Sequence, residues 1–160
     1  MKHVLLLQPA LCVDCKVCEL VCSLEHYGKV SPIKSCINVE STPMKFAVPL
    51  TCLQCDKPAC AIVCVTQALT KNSETGLVDY DADKCIGCKM CVSACPFGNI
   101  SYDQETQAVI KCDTCNGAPK CVEFCPTGAI SWVGEDMTTI TRRQAMVGKF
   151  EQLFSMEAQL

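Results

Sequence analysis

The sequence predicts an α+β protein built as two nested lobes with a helix at the C-terminal end. Three observations carry that expectation. Sixteen of the 17 cysteines fall into four continuous runs: Cys12-x2-Cys15-x2-Cys18-x3-Cys22, Cys52-x2-Cys55-x4-Cys60-x3-Cys64, Cys85-x2-Cys88-x2-Cys91-x3-Cys95-Pro96 and Cys112-x2-Cys115-x5-Cys121-x3-Cys125-Pro126. Short strand-like stretches flank these runs and repeat one another. The last 23 residues, 138–160, hold neither cysteine nor proline, and their apolar residues recur at near-helical spacing.

Along the chain, Val4-Leu5-Leu6-Leu7 reads as a buried strand ahead of the first run. Residues 23–51 carry Pro32, Pro43 and Pro49 without a helical period, so they read as loop with short strands around Ile37–Glu40 and Phe46–Val48. Between the second and third runs, Thr75-Gly76 marks a turn and Leu77, Val78 and Tyr80 a short strand. Pro96–Tyr102 after the third run is echoed by Pro126–Trp132 after the fourth, and Ala108-Val109-Ile110 leads into the fourth. These segments read as an internal repeat of a βαβ-type unit. The second and third runs are neighbours, while the first and fourth would each be orphaned without the other. That nesting gives a body over 1–137, with an inner lobe at 50–104 and an outer lobe from 1–36 plus 105–137. In 138–160, Ala145, Met146, Val147, Phe150, Leu153, Phe154 and Leu160 form the apolar stripe, with Thr139 or Thr141 as the cap. Gly148 weakens this helix by roughly 1 kcal/mol relative to Ala. The helix either lies on its own body or docks onto another chain.

Composition narrows the chemistry. Hydrophobic residues make up 49% of the chain, but that figure counts the cysteines, and aromatics are only 6%. Without the cysteines the apolar share is roughly 38%, below the usual range, so folding is expected to depend on what the cysteines bind. A disulfide scaffold is disfavoured by the odd cysteine count and by a start, MKHVLLLQPALC, without a long apolar export segment. No apolar run reaches the ~18–20 residues of a membrane span. These features make a cytoplasmic protein the expectation. Four-cysteine zinc sites remain the structural alternative, yet they draw on two short pairs separated by a loop. Here each run puts three ligands on one tight loop and directs a fourth elsewhere. That suits a cubane better than a single ion, and the run is the one that holds [4Fe–4S] clusters, with the fourth cysteine serving the neighbouring cluster.

The order and spacing of the runs resemble the four-cluster electron-transfer subunits of molybdenum and tungsten oxidoreductases, of which the dimethyl sulfoxide reductase iron–sulfur subunit is the best-known pattern. The resemblance covers roughly 1–132. Some members replace one cysteine of the fourth run with Trp and hold a [3Fe–4S] centre; this chain has all four, which implies four [4Fe–4S] clusters. The resemblance also implies crossed ligand sets: Cys12, Cys15 and Cys18 with Cys125; Cys22 with Cys112, Cys115 and Cys121; Cys52, Cys55 and Cys60 with Cys95; and Cys64 with Cys85, Cys88 and Cys91. Two departures stand out. Ser23 and Val65 follow Cys22 and Cys64, where ferredoxins place proline.

The implied function is that of a non-catalytic electron-transfer subunit serving a large catalytic oxidoreductase, by preference a tungsten or molybdenum aldehyde oxidoreductase. A carbon monoxide dehydrogenase, hydrogenase or formate dehydrogenase partner, or a free polyferredoxin, is the alternative. Self-association through 138–160 could extend head-to-tail. The formal charge is −3, and four oxidised cubanes with their thiolates would add about −8, so nucleic acid is not an expected partner. The glycines form no dinucleotide or P-loop motif, and no nucleophile–base pair is apparent. Cys36 is left over and reads as a buried free thiol. His3 and His26 read as non-ligands, and Trp132, Tyr27, Tyr80 and Tyr102 as shielding core.

Overall fold

The computed structural model describes residues 2–41, 43, 46–134 and 136–138. The expected helix at 138–160 lies outside them, apart from its first residue. The described chain is α+β. It runs β1 (His3–Leu7), α1 (Val17–Tyr27), β2 (Ile37–Ser41), β3 (Ala47–Thr51), α2 (Ala59–Ile62), β4 (Leu69–Lys71), β5 (Val78–Tyr80), α3 (Met90–Ala94), β6 (Ser101–Asp103), β7 (Ala108–Ile110), α4 (Lys120–Glu123) and β8 (Ile130–Gly134). The strands form four antiparallel pairs, β1–β8, β2–β3, β4–β5 and β6–β7.

Three of the pairs are local hairpins. The fourth joins the two ends of the body, with His3 opposite Gly134 and Leu7 opposite Ile130. In β2, Ile37 and Val39 are buried while Asn38 and Glu40 face water, the alternation of a strand with one covered face. Its partner β3 contains Pro49 opposite Val39. Proline is tolerated there because a two-stranded sheet consists of edges, where a missing N–H need not be replaced. Helix α1 stops at Gly28, whose φ of +63 lets its N–H reach back to Leu24 O at 2.9 Å.

Buried apolar residues form two groups. One gathers Cys18, Cys22, Cys121, Ile37, Val39, Ala47 and Ile130, with Cys12, Cys125, Leu5 and Leu7 packed against it. The other gathers Cys60, Cys91, Leu69, Val78, Ile100 and Val109, with Cys64, Cys85 and Cys95 against it. The first and fourth runs thus share one core and the second and third share another. Tyr80 and Tyr102 pack on the second core without being fully buried, and Trp132 stacks on His3 with ring centroids 5.6 Å apart.

Glu19 ties α1 to the β2–β3 hairpin. It is buried, and its carboxylate accepts the Val39 N–H at 2.6 Å. Glu19→Ala removes that acceptor and is expected to cost about 1–3 kcal/mol. Glu19→Gln keeps it and should cost less, so thermal melting of the loaded protein should rank wild type above Gln above Ala. Equal melting temperatures for the two variants would show that the bond contributes nothing.

Candidate metal centres

Each cysteine run is shaped by the same backbone devices. The residue before the second cysteine is left-handed in all four: Asp14 (φ +57), Gln54 (+50), Gly87 (+67) and Thr114 (+59). Three of these are not glycine, and each such residue costs on the order of 1–2 kcal/mol. Strain repeated at one place in three of the four loops points to function. Nothing in the residue types announces it except at Gly87, where a Cβ would lie 2.8 Å from Tyr102 Oη. The third cysteine of every run, Cys18, Cys60, Cys91 or Cys121, is then the second residue of a helix and is buried.

The fourth cysteine sits just past its helix in three runs. There the chain turns at once: Gln67, Gly98 and Gly128, each left-handed, donate N–H to the carbonyls of Cys64, Cys95 and Cys125 at 3.1, 3.3 and 3.4 Å. Val65 in place of proline therefore leaves the turn intact. Ser23 does not. Cys22 lies inside the 11-residue helix α1, four residues after Cys18, and Ser23 is fully buried with Oγ donating to Leu20 O.

These elements bring the sixteen cysteines together in fours. One cavity is lined by Cys12, Cys15, Cys18 and Cys125. A second is lined by Cys22, Cys112, Cys115 and Cys121, a third by Cys52, Cys55, Cys60 and Cys95, and a fourth by Cys64, Cys85, Cys88 and Cys91. All 17 cysteines are free thiols. The cavities are alike in size, about 320, 280, 350 and 340 Å³ between the lining atoms, mouths included. No described foursome of cysteines closes tightly enough for one ion. The only described group of possible ligands within 4.8 Å of one another is His26, Asp113 and Cys115. Four sulfurs on one zinc would sit about 3.8 Å apart, given Zn–S bonds of ~2.3 Å. A multi-iron cluster, gripped at its corners, fits the wider spacing and the all-thiol donor set.

The surroundings shift the sulfurs in opposite directions. Burial pushes Cys18 up to about 12, with Glu19 and its run-mates adding to the effect, and pushes Cys112 up to about 11. Such thiols stay protonated until metal displaces the proton. Burial acts upward on Cys64 and Cys125 too, yet both end below the ordinary thiol value because backbone groups hydrogen-bond them: Leu69, Ala68 and Thr66 for Cys64, and Ile130, Ala129 and Thr127 for Cys125. The matching offsets show that the repeat extends to the hydrogen bonds around the sulfurs.

His26 was legible only as a non-ligand. Its Nδ1 donates to Cys22 O at 2.9 Å and its Nε2 to Asp113 Oδ1 at 3.0 Å. The Asp113 bond, reinforced by Cys22, pushes the imidazole up to about 11, and the ring's two hydrogen bonds tie α1 to the fourth run. Cys36 lines the same cavity as Cys22 and donates its backbone N–H to Cys22 Sγ at 3.3 Å. The contact between the two thiols draws Cys22 down to about 4, against burial, and pushes Cys36 up.

Comparison with known proteins decides the family. The 4Fe-4S dicluster domain matches residues 43–135, more than half of the sequence, and a 4Fe-4S binding domain matches 9–28. This protein belongs to the 4Fe-4S dicluster domain family. Its cofactors are [4Fe–4S] clusters. Among curated proteins, this dicluster protein is 42% identical over 92 residues to the polyferredoxin-like subunit of an aliphatic sulfonate oxidoreductase from Pyrococcus furiosus, covering 58% of its own length and 53% of that relative. It is 30% identical over 118 residues to a subunit of the tetrathionate reductase of Salmonella typhimurium, covering 69% and 47%. It is 32% identical over 117 residues to a component of the anaerobic dimethyl sulfoxide reductase of Escherichia coli, covering 64% and 56%. The dicluster protein spans about half the length of these relatives. Among solved structures, a component of the active site complex BamBC of benzoyl coenzyme A reductase aligns over 99% of this protein and 97% of its own length at a TM-score of 0.49 and 20% identity. No helix among the described residues is long and apolar enough to cross a membrane.

Proposed function

We propose that this dicluster-family protein holds four [4Fe–4S] clusters in two nested lobes and passes single electrons between a catalytic oxidoreductase subunit and a second redox partner. The observation that carries the reading is the fourfold recurrence of one cavity, each lined by three cysteines of one run and one cysteine of another, with Cys36 as a fifth only in the second. The proposed ligand sets are those four foursomes, so the first and fourth runs form an outer lobe around the inner lobe of the second and third. When bound, such a cluster supplies reversible one-electron chemistry. The protein's own residues grip it, keep water from it with Val39, Ile130, Ile100 and Leu69, and donate backbone hydrogen bonds to the sulfurs.

Docking to a partner is favoured over free diffusion by apolar side chains left in water at the cavity rims. Val13 is 63% exposed beside the first cavity, and Ile86 is 67% exposed beside the fourth, near Val65 at 78%. A tungsten or molybdenum aldehyde oxidoreductase is the preferred catalytic partner, in the cytoplasm. Residues 138–160 are the proposed docking helix, onto that partner or a second copy of the protein.

The test is anaerobic purification of the native protein with whatever co-elutes. Near sixteen irons and sixteen acid-labile sulfides per protein molecule are expected, about four per cluster, together with a large metal-cofactor subunit. Stoichiometric zinc without sulfide would sink the cluster reading. A fully loaded protein that elutes alone would leave the clusters standing and favour the free polyferredoxin.

A further inference from the structure

Lys111 is the one lysine or arginine buried among the described residues. It follows β7 and immediately precedes Cys112. Its Nζ donates to Val78 O at 2.7 Å, to Cys112 O at 2.9 Å and to Gln54 Oε1 at 3.3 Å. Gln54 completes the knot: its Nε2 donates to the same Cys112 carbonyl at 2.8 Å, and its Oε1 accepts the Val78 N–H at 2.9 Å. Three segments from two cysteine runs and one strand therefore converge on a single ammonium.

No described carboxylate pairs with Lys111. Burying a cation among neutral oxygens alone is expensive, and a neutral donor could have made the same bonds more cheaply. Lys111 also borders an open cavity lined by Glu74, Asp79 and Asp113, and the neighbouring cysteine cavities would add negative charge of their own. Lys111 directly precedes Cys112, which lines the second cavity, and its Nζ is held by that residue's carbonyl. Val78, which accepts from Nζ, also lines the third cavity. Lys71, the other lysine near this knot, donates to Gln54 O, Cys55 O and Gly76 O, so it touches only the loop of the third cavity.

We propose that Lys111 is a positioning residue whose fixed charge sits between the two central cluster sites and raises both of their reduction potentials. The inference rests on the ligand sets proposed above. Reduction adds one electron to a cluster and takes up no proton from Lys111. A positive charge held between the two sites in a low-dielectric interior lowers the energy of that added charge at either one. The second and third sites are thereby made easier to reduce than they would be without it, and the first and fourth are left beyond its main influence.

A reductive titration with dithionite, followed by electron paramagnetic resonance on the loaded protein, tests this. Lys111→Met should lower the equilibrium constant for reducing two of the four clusters by about tenfold or more, a shift of about 59 mV to more negative potential for a one-electron couple. The other two should not move, and Lys111→Arg should leave all four near their original values. Gln54→Glu sets a carboxylate against Nζ with almost no change in volume and should shift the same two clusters in the same direction. If Lys111→Met does not load its iron, Gln54→Glu decides alone. Four clusters with unmoved potentials, with one shifted, or with all four shifted alike, overturn the inference. Wild-type protein with fewer than four clusters would instead overturn the ligand sets beneath it.

Discussion

Removing iron and sulfide is expected to unfold the whole body, with loss of far-ultraviolet ellipticity and of any cooperative thermal transition. Six of the 17 buried apolar residues among those described are cysteines, three are alanines, and no aromatic is among them. The strands are three to five residues long and pair only two at a time. Isolated two-stranded hairpins are marginal in water. Ordering each residue costs about 1–2 kcal/mol of backbone entropy, and so small an apolar interior cannot offset that over the described length. The clusters are the missing part of the core, and their binding free energy becomes folding free energy. Anaerobic reconstitution with iron and sulfide should restore the circular dichroism. An iron-free protein that kept its native spectrum and melted cooperatively would contradict this account.

Cys125→Ala is expected to cost about four of the irons, taken from a site whose other three ligands lie more than a hundred residues earlier. Cys125 lines the cavity of Cys12, Cys15 and Cys18. Its carbonyl closes the turn through Gly128, and the chain then passes into β8, which pairs with β1. Removing this ligand opens a corner of the cluster and loosens the strand pair that closes the body. The decisive comparison is between variants. Cys125→Ala should share its remaining electron paramagnetic resonance spectrum with Cys12→Ala, and both should differ from Cys112→Ala. A match to Cys112→Ala instead would mean that each run keeps its own cluster, and the crossed sets would be wrong.

Much of this was legible in the sequence because sulfur chemistry is written in spacing. The cysteine spacing, with the resemblance it carries, was enough to propose the ligand sets, and strands formed at Val4–Leu7, Ile37–Glu40 and, without the expected Leu77, at Val78–Tyr80. What escaped were features that depend on long-range neighbours. Pro49 argued for loop, yet an edge position made it part of β3. Ser23 argued only for a missing proline, yet it continues α1 and aims Cys22 at the cavity of the fourth run. Gln54 and Lys111 are ordinary polar residues until the fold sets them 3.3 Å apart. Cys36 reads from the sequence as a buried free thiol, but it is only half-buried and lies on the wall of the cavity of Cys22.

The pairing of β1 with β8 also sets a timetable. On the ribosome His3–Leu7 emerges first, but its partner Ile130–Gly134 is made only after nearly the whole body has been synthesised. At about 5–20 residues per second, the opening strand waits roughly 6–25 s for it. The hairpins β4–β5 and β6–β7, with the cysteines between them, are complete well before that. Nascent chains should therefore mature from the middle outward, with Cys12, Cys15 and Cys18 exposed as reactive thiols until the last stretch arrives. A cell making this protein in the presence of oxygen would risk the start of the chain most, although it is the first part to be born.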